Sequence, residues 1–127
     1  MNIPKNLLYT KTHEWIEFKD DTTALVGITD FAQGQMGDIV YVNMPTEGEV
    51  FAAGDVVAGI ESDMAAADMF LPVTGTIGAV NERLLDEPDL INAAPYDAWI
   101  FEVSGIEDKL DLLSAREYDE FLQAEEK

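Results

Sequence analysis

The chain has 127 residues, 47% of them hydrophobic, which is enough for one domain with its own core, so we expect a single domain over residues 1–127. Seven Lys and Arg residues stand against 26 Asp and Glu residues, and the formal net charge of -19 excludes nucleic acid and anionic membranes as partners. The absence of cysteine excludes disulfides, thiolate metal sites and cysteine nucleophiles.

The N-terminal segment has neither the apolar core of a signal peptide nor the Arg and Ser content of a transit peptide. No apolar run in the sequence approaches membrane-spanning length. We therefore expect a cytoplasmic protein, or the mature form of an organellar one.

Most of the chain is predicted to form short β-strands. Alternating or continuous apolar runs indicate the strands, while Gly, Pro and Asp mark the turns between them. The first two strands form a hairpin, and the regular spacing of the others favours a small sandwich or barrel. The predicted strands span residues 13–18, 23–28, 39–44, 56–61, 69–73, 76–80 and 99–103.

Helices are predicted at three places. Asp30 is placed to cap a short helix, and Asn81 is placed to cap a brief helix over residues 82–85. Ser114 and Glu117 have the spacing of a capping box, which predicts an amphipathic C-terminal helix docked on the sheets. The apolar face of that helix consists of Tyr118, Phe121 and Leu122.

Candidate catalytic and metal-binding residues are scarce. His13 is the only histidine, and a lone histidine near the start of a strand is more often structural than a general base. The carboxylates in residues 86–89 and the methionines lack a supporting ligand set, so we expect no metal site. The sequence therefore predicts a protein without catalytic residues.

Several segments resemble the sequence pattern of glycine cleavage system H proteins. Residues 9–15 are similar to the family's Tyr-x-x-x-His-Glu-Trp opening, and residues 26–33 to its Val-Gly-Ile-Thr-x-x-Ala-Gln segment. Residues 61–68 read Glu-Ser-Asp-Met-Ala-Ala-Ala-Asp and resemble the family's lipoylation hairpin, Glu-Ser-Val-Lys-Ala-Ala-Ser-Asp. The chain is therefore identified as a member of this family. Further matches in the family's order lie at residues 36–42, 72–75, 80–82 and 95–96.

The resemblance implies both a fold and a task. The fold is mainly β, a lipoyl-domain-like flattened barrel-sandwich of two antiparallel sheets, with short helices and the C-terminal amphipathic helix. In the family, a lipoyl arm accepts the aminomethyl group left by glycine decarboxylase and presents it to the aminomethyltransferase, and dihydrolipoyl dehydrogenase reoxidises the arm. These enzymes and the enzymes that handle lipoate are the implied partners.

The resemblance also assigns four site residues. Met64 stands where the family has its lipoyl lysine, and because a thioether has no amine to acylate, we expect no lipoate on this chain. Glu61 and Asp68 match the acidic residues associated with recognition of the hairpin tip. Glu14 matches a position near the cleft where the loaded arm rests, or else is a surface strand carboxylate. The lysines, at residues 5, 11, 19, 109 and 127, lie far along the chain from the tip.

Two side chains near the tip are expected to differ in burial. We expect Met64 to be exposed, because it lies at the tip of a hairpin. Phe70, in the apolar run that follows, is expected to face the core.

Three further departures from the family pattern bear on function. Asp63 replaces an apolar residue, Ala67 replaces a serine, and residues 95–99 are one residue shorter than the family segment and lack its glycine. The favoured hypothesis is a non-lipoylated binding or regulatory member of the family. A second is an ordinary H protein whose lysine was changed deliberately, although the clustered departures speak against a single change. A third is an unrelated scaffold or small-ligand role on the same fold.

Overall fold

Two antiparallel β-sheets and a set of short helices make up the computed structural model, which describes residues 1–125. This arrangement confirms the expected fold class. None of the described helices is long and apolar enough to span a membrane. The strands are β1 (Leu8–Tyr9), β2 (Glu14–Phe18), β3 (Ala24–Ile28), β4 (Ile39–Asn43), β5 (Val50–Phe51), β6 (Val56–Ser62), β7 (Ala66–Phe70), β8 (Gly75–Val80) and β9 (Phe101–Ser104). The helices are α1 (Asp30–Met36), α2 (Arg83–Asp86), α3 (Leu90–Ala93) and α4 (Ala115–Glu125).

The larger sheet has the strand order β1-β2-β3-β9-β8-β5, and the smaller sheet has the order β4-β6-β7. In the larger sheet, β2 and β3 form the predicted hairpin, with Glu14 opposite Ile28. In the smaller sheet, β6 and β7 form the β6–β7 hairpin, in which Glu61 pairs with Ala66. The smaller sheet therefore presents residue 64 at one end, beyond the last paired residues.

The main core lies between the two sheets. Val26 and Val103 point into it from the larger sheet, and Val42 and Ile60 point into it from the smaller one. Because side chains alternate between the two faces of a strand, the neighbours of Val42 and Ile60 face away from this core. The outer face of the smaller sheet is therefore left to solvent or to a partner.

The C-terminal helix α4 begins with the predicted capping box. The Ser114 hydroxyl accepts a hydrogen bond from the Glu117 N–H at 3.1 Å, and the Glu117 carboxylate accepts one from the Ser114 N–H at 2.8 Å. Tyr118 and Leu122 are buried, and the Tyr118 ring stacks on Tyr9 with 4.8 Å between centroids. The predicted helix and its docking on the larger sheet are confirmed.

Several predicted helix caps and element boundaries were wrong. Thr29, and not Asp30, caps α1, since the Thr29 hydroxyl accepts a hydrogen bond from the Ala32 N–H at 3.2 Å. Asn81 does not cap α2, because its side-chain amide donates to the Trp99 carbonyl at 2.8 Å. Strand β1 and helix α3 were not predicted, and both are only a few residues long.

The expected orientation of Phe70 was also wrong. Met69 is only 1% exposed and belongs to the main core, whereas Phe70 is half-buried outside it. Met69 pairs with Ala58 and Phe70 pairs with Val56, with a β-bulge between the two pairs. A continuous apolar run does not reveal which of two neighbouring side chains points inward, because a shift of one residue exchanges the two faces.

Candidate functional site

The tip of the β6–β7 hairpin is a tight turn closed by Ser62. The Ser62 N–H donates to the Ala65 carbonyl at 2.8 Å, and the Ser62 hydroxyl accepts from the N–H groups of Met64 and Ala65 at 3.1 and 2.9 Å. The Asp63 N–H donates to the Asp38 carbonyl at 3.2 Å, which ties the tip to the segment before β4. These bonds use backbone groups and one hydroxyl, so the turn holds residue 64 without using its side chain.

Met64 is 76% exposed, which confirms the expectation from its position at the tip. Its sulfur and methyl carbon lie close to Gly37. A Cβ atom at residue 37, which glycine lacks, would be 3.9 Å from the sulfur and 3.8 Å from the methyl carbon. By contrast, Met36 and Met69 are almost fully buried. Of the methionines near the hairpin, Met64 is the one that this structure presents on the surface.

Glu61 and Asp68 lie on the two strands of the hairpin, and both are exposed. Glu61 pairs with Ala66, and Asp68 pairs with Gly59 two residues further along. The two carboxylates are therefore diagonal neighbours on the same face of the hairpin, about 7–8 Å apart at their backbone positions. The structure brings this predicted pair together, close to the tip that carries Met64.

Glu14 is buried, with 1% of its surface exposed, so the alternative of a surface carboxylate is wrong. Its carboxylate accepts hydrogen bonds from the Thr10 hydroxyl at 2.6 Å, from the Thr12 hydroxyl, and from the Phe70 N–H at 3.2 Å. Burial raises the pKa of Glu14, and the hydrogen bonds oppose that shift. Sequence reasoning missed Thr10 and Thr12, although their position just before Glu14 could have indicated local hydroxyl donors.

A cavity of about 180 Å³ lies beside Glu14, between β2, α1 and the β6–β7 hairpin. Apolar side chains such as Phe31 and Met69 form much of its wall. Asp68 also lines the cavity, and it therefore lies between this cavity and the outer face of the smaller sheet. The cavity thus joins Glu14 to Asp68, while Met64 and Glu61 lie outside it.

His13 connects the edge of this cavity to α4. Its Nδ1 lies 2.8 Å from the Tyr118 hydroxyl, which is in turn 2.7 Å from the hydroxyl of Thr29, the cap of α1. The His13 ring packs against Phe31 with 4.7 Å between centroids, and burial lowers the pKa of His13 although Glu125 acts in the opposite direction. His13 has a positive φ of 72°, a conformation that a non-glycine residue keeps only when its surroundings hold it. These contacts agree with the predicted structural role.

Comparison with known proteins places the motifs in a family. The family model for the glycine cleavage H-protein matches residues 7–125. The chain belongs to the glycine cleavage H-protein family. It is 48% identical over 125 residues to the glycine cleavage system H protein of Lachnoclostridium phytofermentans, with 98% of each chain covered. It is 49% identical over 121 residues to the probable glycine cleavage system H protein of Thermoplasma acidophilum, covering 95% of this chain and 96% of the relative.

A solved H protein has the same fold. The crystal structure of a glycine cleavage system H protein from Mycobacterium marinum superposes with a TM-score of 0.88 at 33% identity, covering 98% of this chain and 100% of the other. Members of the family are lipoyl carriers and not catalysts. Family membership therefore confirms the prediction of a non-catalytic protein. Lipoate is attached through an amide to a lysine amine, and the thioether of Met64 cannot form that bond. Residue 64 therefore does not fit covalently attached lipoate.

Glu14→Gln is expected to change how the stability of this H-protein family member depends on pH. Because burial raises the pKa of Glu14 above its ordinary value of 4.5, the folded state keeps a proton that the unfolded state has released. Proton binding to Glu14 therefore favours the folded state. This contribution to the free energy of unfolding is fully present below pH 4.5 and is lost as the pH rises through the folded-state pKa. Urea unfolding from about pH 4 to 8 should show the wild type losing free energy of unfolding relative to Glu14→Gln.

The exposed Glu61→Gln variant serves as the control for removing one carboxylate. A constant difference between wild type and Glu14→Gln over this pH range would contradict the assignment of a raised pKa to Glu14.

Proposed function

We propose that this H-protein family member is a non-lipoylated binding or regulatory protein that acts in the cytoplasm. It docks on glycine decarboxylase, the aminomethyltransferase or enzymes that handle lipoate, but it does not carry the aminomethyl group. The observation that carries the proposal is Met64, an exposed thioether at the hairpin tip in a segment that resembles the family's lipoylation motif. Glu61 and Asp68 stand beside it as the residues through which partners would recognise the tip.

The β6–β7 hairpin contains no lysine that could replace an amine at residue 64. The sequence has no lysine between residues 20 and 108, so the β6–β7 hairpin contains none. Lys19 lies in an ion pair with Glu102 at 3.5 Å, and the Nζ atoms of Lys109 and Lys11 lie 4.6 and 6.0 Å from the centroids of aromatic rings. A ligase that reads a presented hairpin therefore meets no amine on it.

The cavity beside Glu14 corresponds to the cleft that the resemblance implies for a lipoyl arm. The resemblance assigns Glu14 to the cleft in which a loaded lipoyl arm rests, and the cavity lies directly against the hairpin. Because residue 64 has no amine to carry an arm, the chain cannot fill this cleft with an arm of its own. The protein would thus keep the recognition surface of a carrier without the chemistry of one.

Competition in a glycine cleavage assay tests this function. In a reconstituted system that contains a lipoylated H protein, adding this chain should lower turnover, because both proteins compete for the same docking sites. Rising salt should weaken the inhibition, since the net charge of -19 makes docking partly electrostatic. The control is an equal amount of the chain after heat unfolding.

As the sole H protein in the assay, the chain should give no lipoyl-dependent turnover. Turnover in that reaction would overturn the proposal that it is not a carrier. An absence of both binding and inhibition at low salt would overturn the proposal that it docks on these enzymes.

A further inference from the structure

The outer face of the smaller sheet is an ordered surface that nothing in the described chain covers. The side chains on this face form two rows across the three strands, one row next to the other. A shallow trough of about 490 Å³ runs over them. We call this surface the outer face. Its first row is Tyr41, Glu61 and Ala66, and its second row is Asn43, Gly59 and Asp68.

The outer face combines small residues with polar and aromatic ones. Gly59 on β6 and Ala66 on β7 leave the face low at these two positions. Tyr41 on β4 is 48% exposed, and Glu61 lies between Tyr41 and Ala66 in the first row. Within residues 1–125, neither Glu61 nor Asp68 forms an ion pair with a basic side chain. The face therefore offers an aromatic ring and two carboxylates whose charge is not balanced within the described chain.

Charge determines what can cover this face. A second copy of the chain would bring another net charge of -19 and would be repelled, as would other polyanions. Tyr41 and Glu61 are directly opposite each other in the sheet, which places their Cβ atoms about 4.5–5.5 Å apart. A guanidinium group stacks on an aromatic ring within about 6 Å of its centroid and binds a carboxylate through two parallel N–H groups. A single arginine can thus engage Tyr41 and Glu61 together.

We infer that the outer face binds an extended, arginine-bearing segment of a partner protein. One arginine lies over Tyr41 and hydrogen-bonds to Glu61, and a second cationic side chain pairs with Asp68. Arginine fits better than lysine because its planar guanidinium can stack on a ring and also form two parallel hydrogen bonds to a carboxylate. The ammonium of lysine is a strongly hydrated point charge. The inference rests on the proposed docking of the hairpin on partner enzymes and names the chemistry of the segment that they would present.

A short synthetic peptide tests the inference directly. The probe is an acetylated and amidated peptide of alternating arginine and threonine, titrated into the isotope-labelled protein and followed by NMR. Amide shifts should concentrate on the two rows of the outer face. The matched peptide with lysine should bind more weakly, and the peptide with citrulline, the neutral analogue of arginine, should not bind. Shifts that concentrate elsewhere would overturn the inference.

Variants separate the outer face from the effect of net charge. Tyr41→Ala and Glu61→Gln should each weaken peptide binding about 3- to 5-fold, and Tyr41→Phe, which keeps the ring, should bind like the wild type. Because one arginine contacts both residues, the double variant should lose less than the product of the two single effects. Asp119→Asn, which removes one charge on α4, should change binding less than about 1.5-fold. Equal weakening by Asp119→Asn would overturn the inference.

The same variants distinguish this inference from the proposed function. If glycine decarboxylase or the aminomethyltransferase binds Tyr41→Ala and the wild type equally well, the outer face is not the docking surface, although the proposed function stands. If the arginine peptide binds as expected but none of the enzymes binds, the outer face stands and the proposed function fails.

Discussion

Met64→Lys is expected to turn a protein that a lipoate ligase cannot modify into a substrate. The replacement supplies an amine at a position that is already 76% exposed, in a turn held by backbone groups and the Ser62 hydroxyl. After incubation with lipoate, ATP and a lipoate ligase, intact mass spectrometry should show one lipoyl group on Met64→Lys and none on the wild type. The lysine should not disturb folding, because substitutions at exposed sites usually change stability by less than about 0.5 kcal/mol.

Met64→Arg is the matched control, because it adds a long cationic side chain that does not become acylated under these conditions. A lipoyl adduct on any lysine of the wild type would contradict the proposal that the chain is not lipoylated. If Met64→Lys stays unmodified while folded, then Asp63, Ala67 or the shortened segment at residues 95–99 has also removed recognition by the ligase. In that case the chain would have lost more than its attachment point.

Short-range patterns predicted the parts of the fold that neighbouring residues decide. The capping box of Ser114 and Glu117 involves two residues three positions apart, and the structure reproduces both of its hydrogen bonds. The hairpin tip was likewise placed by a motif of eight residues, and Met64 is exposed there as expected. The capping box could be predicted because its geometry needs no contact from elsewhere in the chain. The tip was located by its resemblance to a family motif, and the structure also ties it to the distant Asp38 carbonyl.

Contacts between distant residues decide the features that the sequence did not reveal. Glu14 is buried in part because the Phe70 N–H, 56 positions away, donates to its carboxylate. Thr29 takes the cap of α1 while its hydroxyl also contacts the Tyr118 hydroxyl, 89 positions away. Hydrophobic periodicity indicates which face of a segment is buried, but it does not indicate which distant polar group contacts that segment. The cleft of the candidate site is built from such contacts, so the sequence did not reveal it. Of the residues that line it, Glu14 and Asp68 were named as site residues, and only through the family resemblance.

Met69→Ala should be strongly destabilising, in contrast to Met64→Ala in the same hairpin. Met69 is 1% exposed in the main core and also lines the cavity beside Glu14, so truncating it removes buried contacts and enlarges an existing space. We expect a loss of about 2–5 kcal/mol in the free energy of unfolding, measured by urea denaturation with an unchanged m-value. Met64→Ala removes the same atoms from a 76% exposed side chain and should change stability by no more than about 0.5 kcal/mol.

Two further variants test whether the loss reflects burial at this position. Met69→Leu keeps nearly the same apolar volume and should cost less than about 1.5 kcal/mol. Phe70→Ala should fall between Met69→Ala and Met64→Ala, because Phe70 is half-buried outside the main core. If Phe70→Ala were the most destabilising of the set, β7 would have the opposite face toward the core. Asp68 would then point away from the outer face, and Glu61 and Asp68 would no longer lie on the same face.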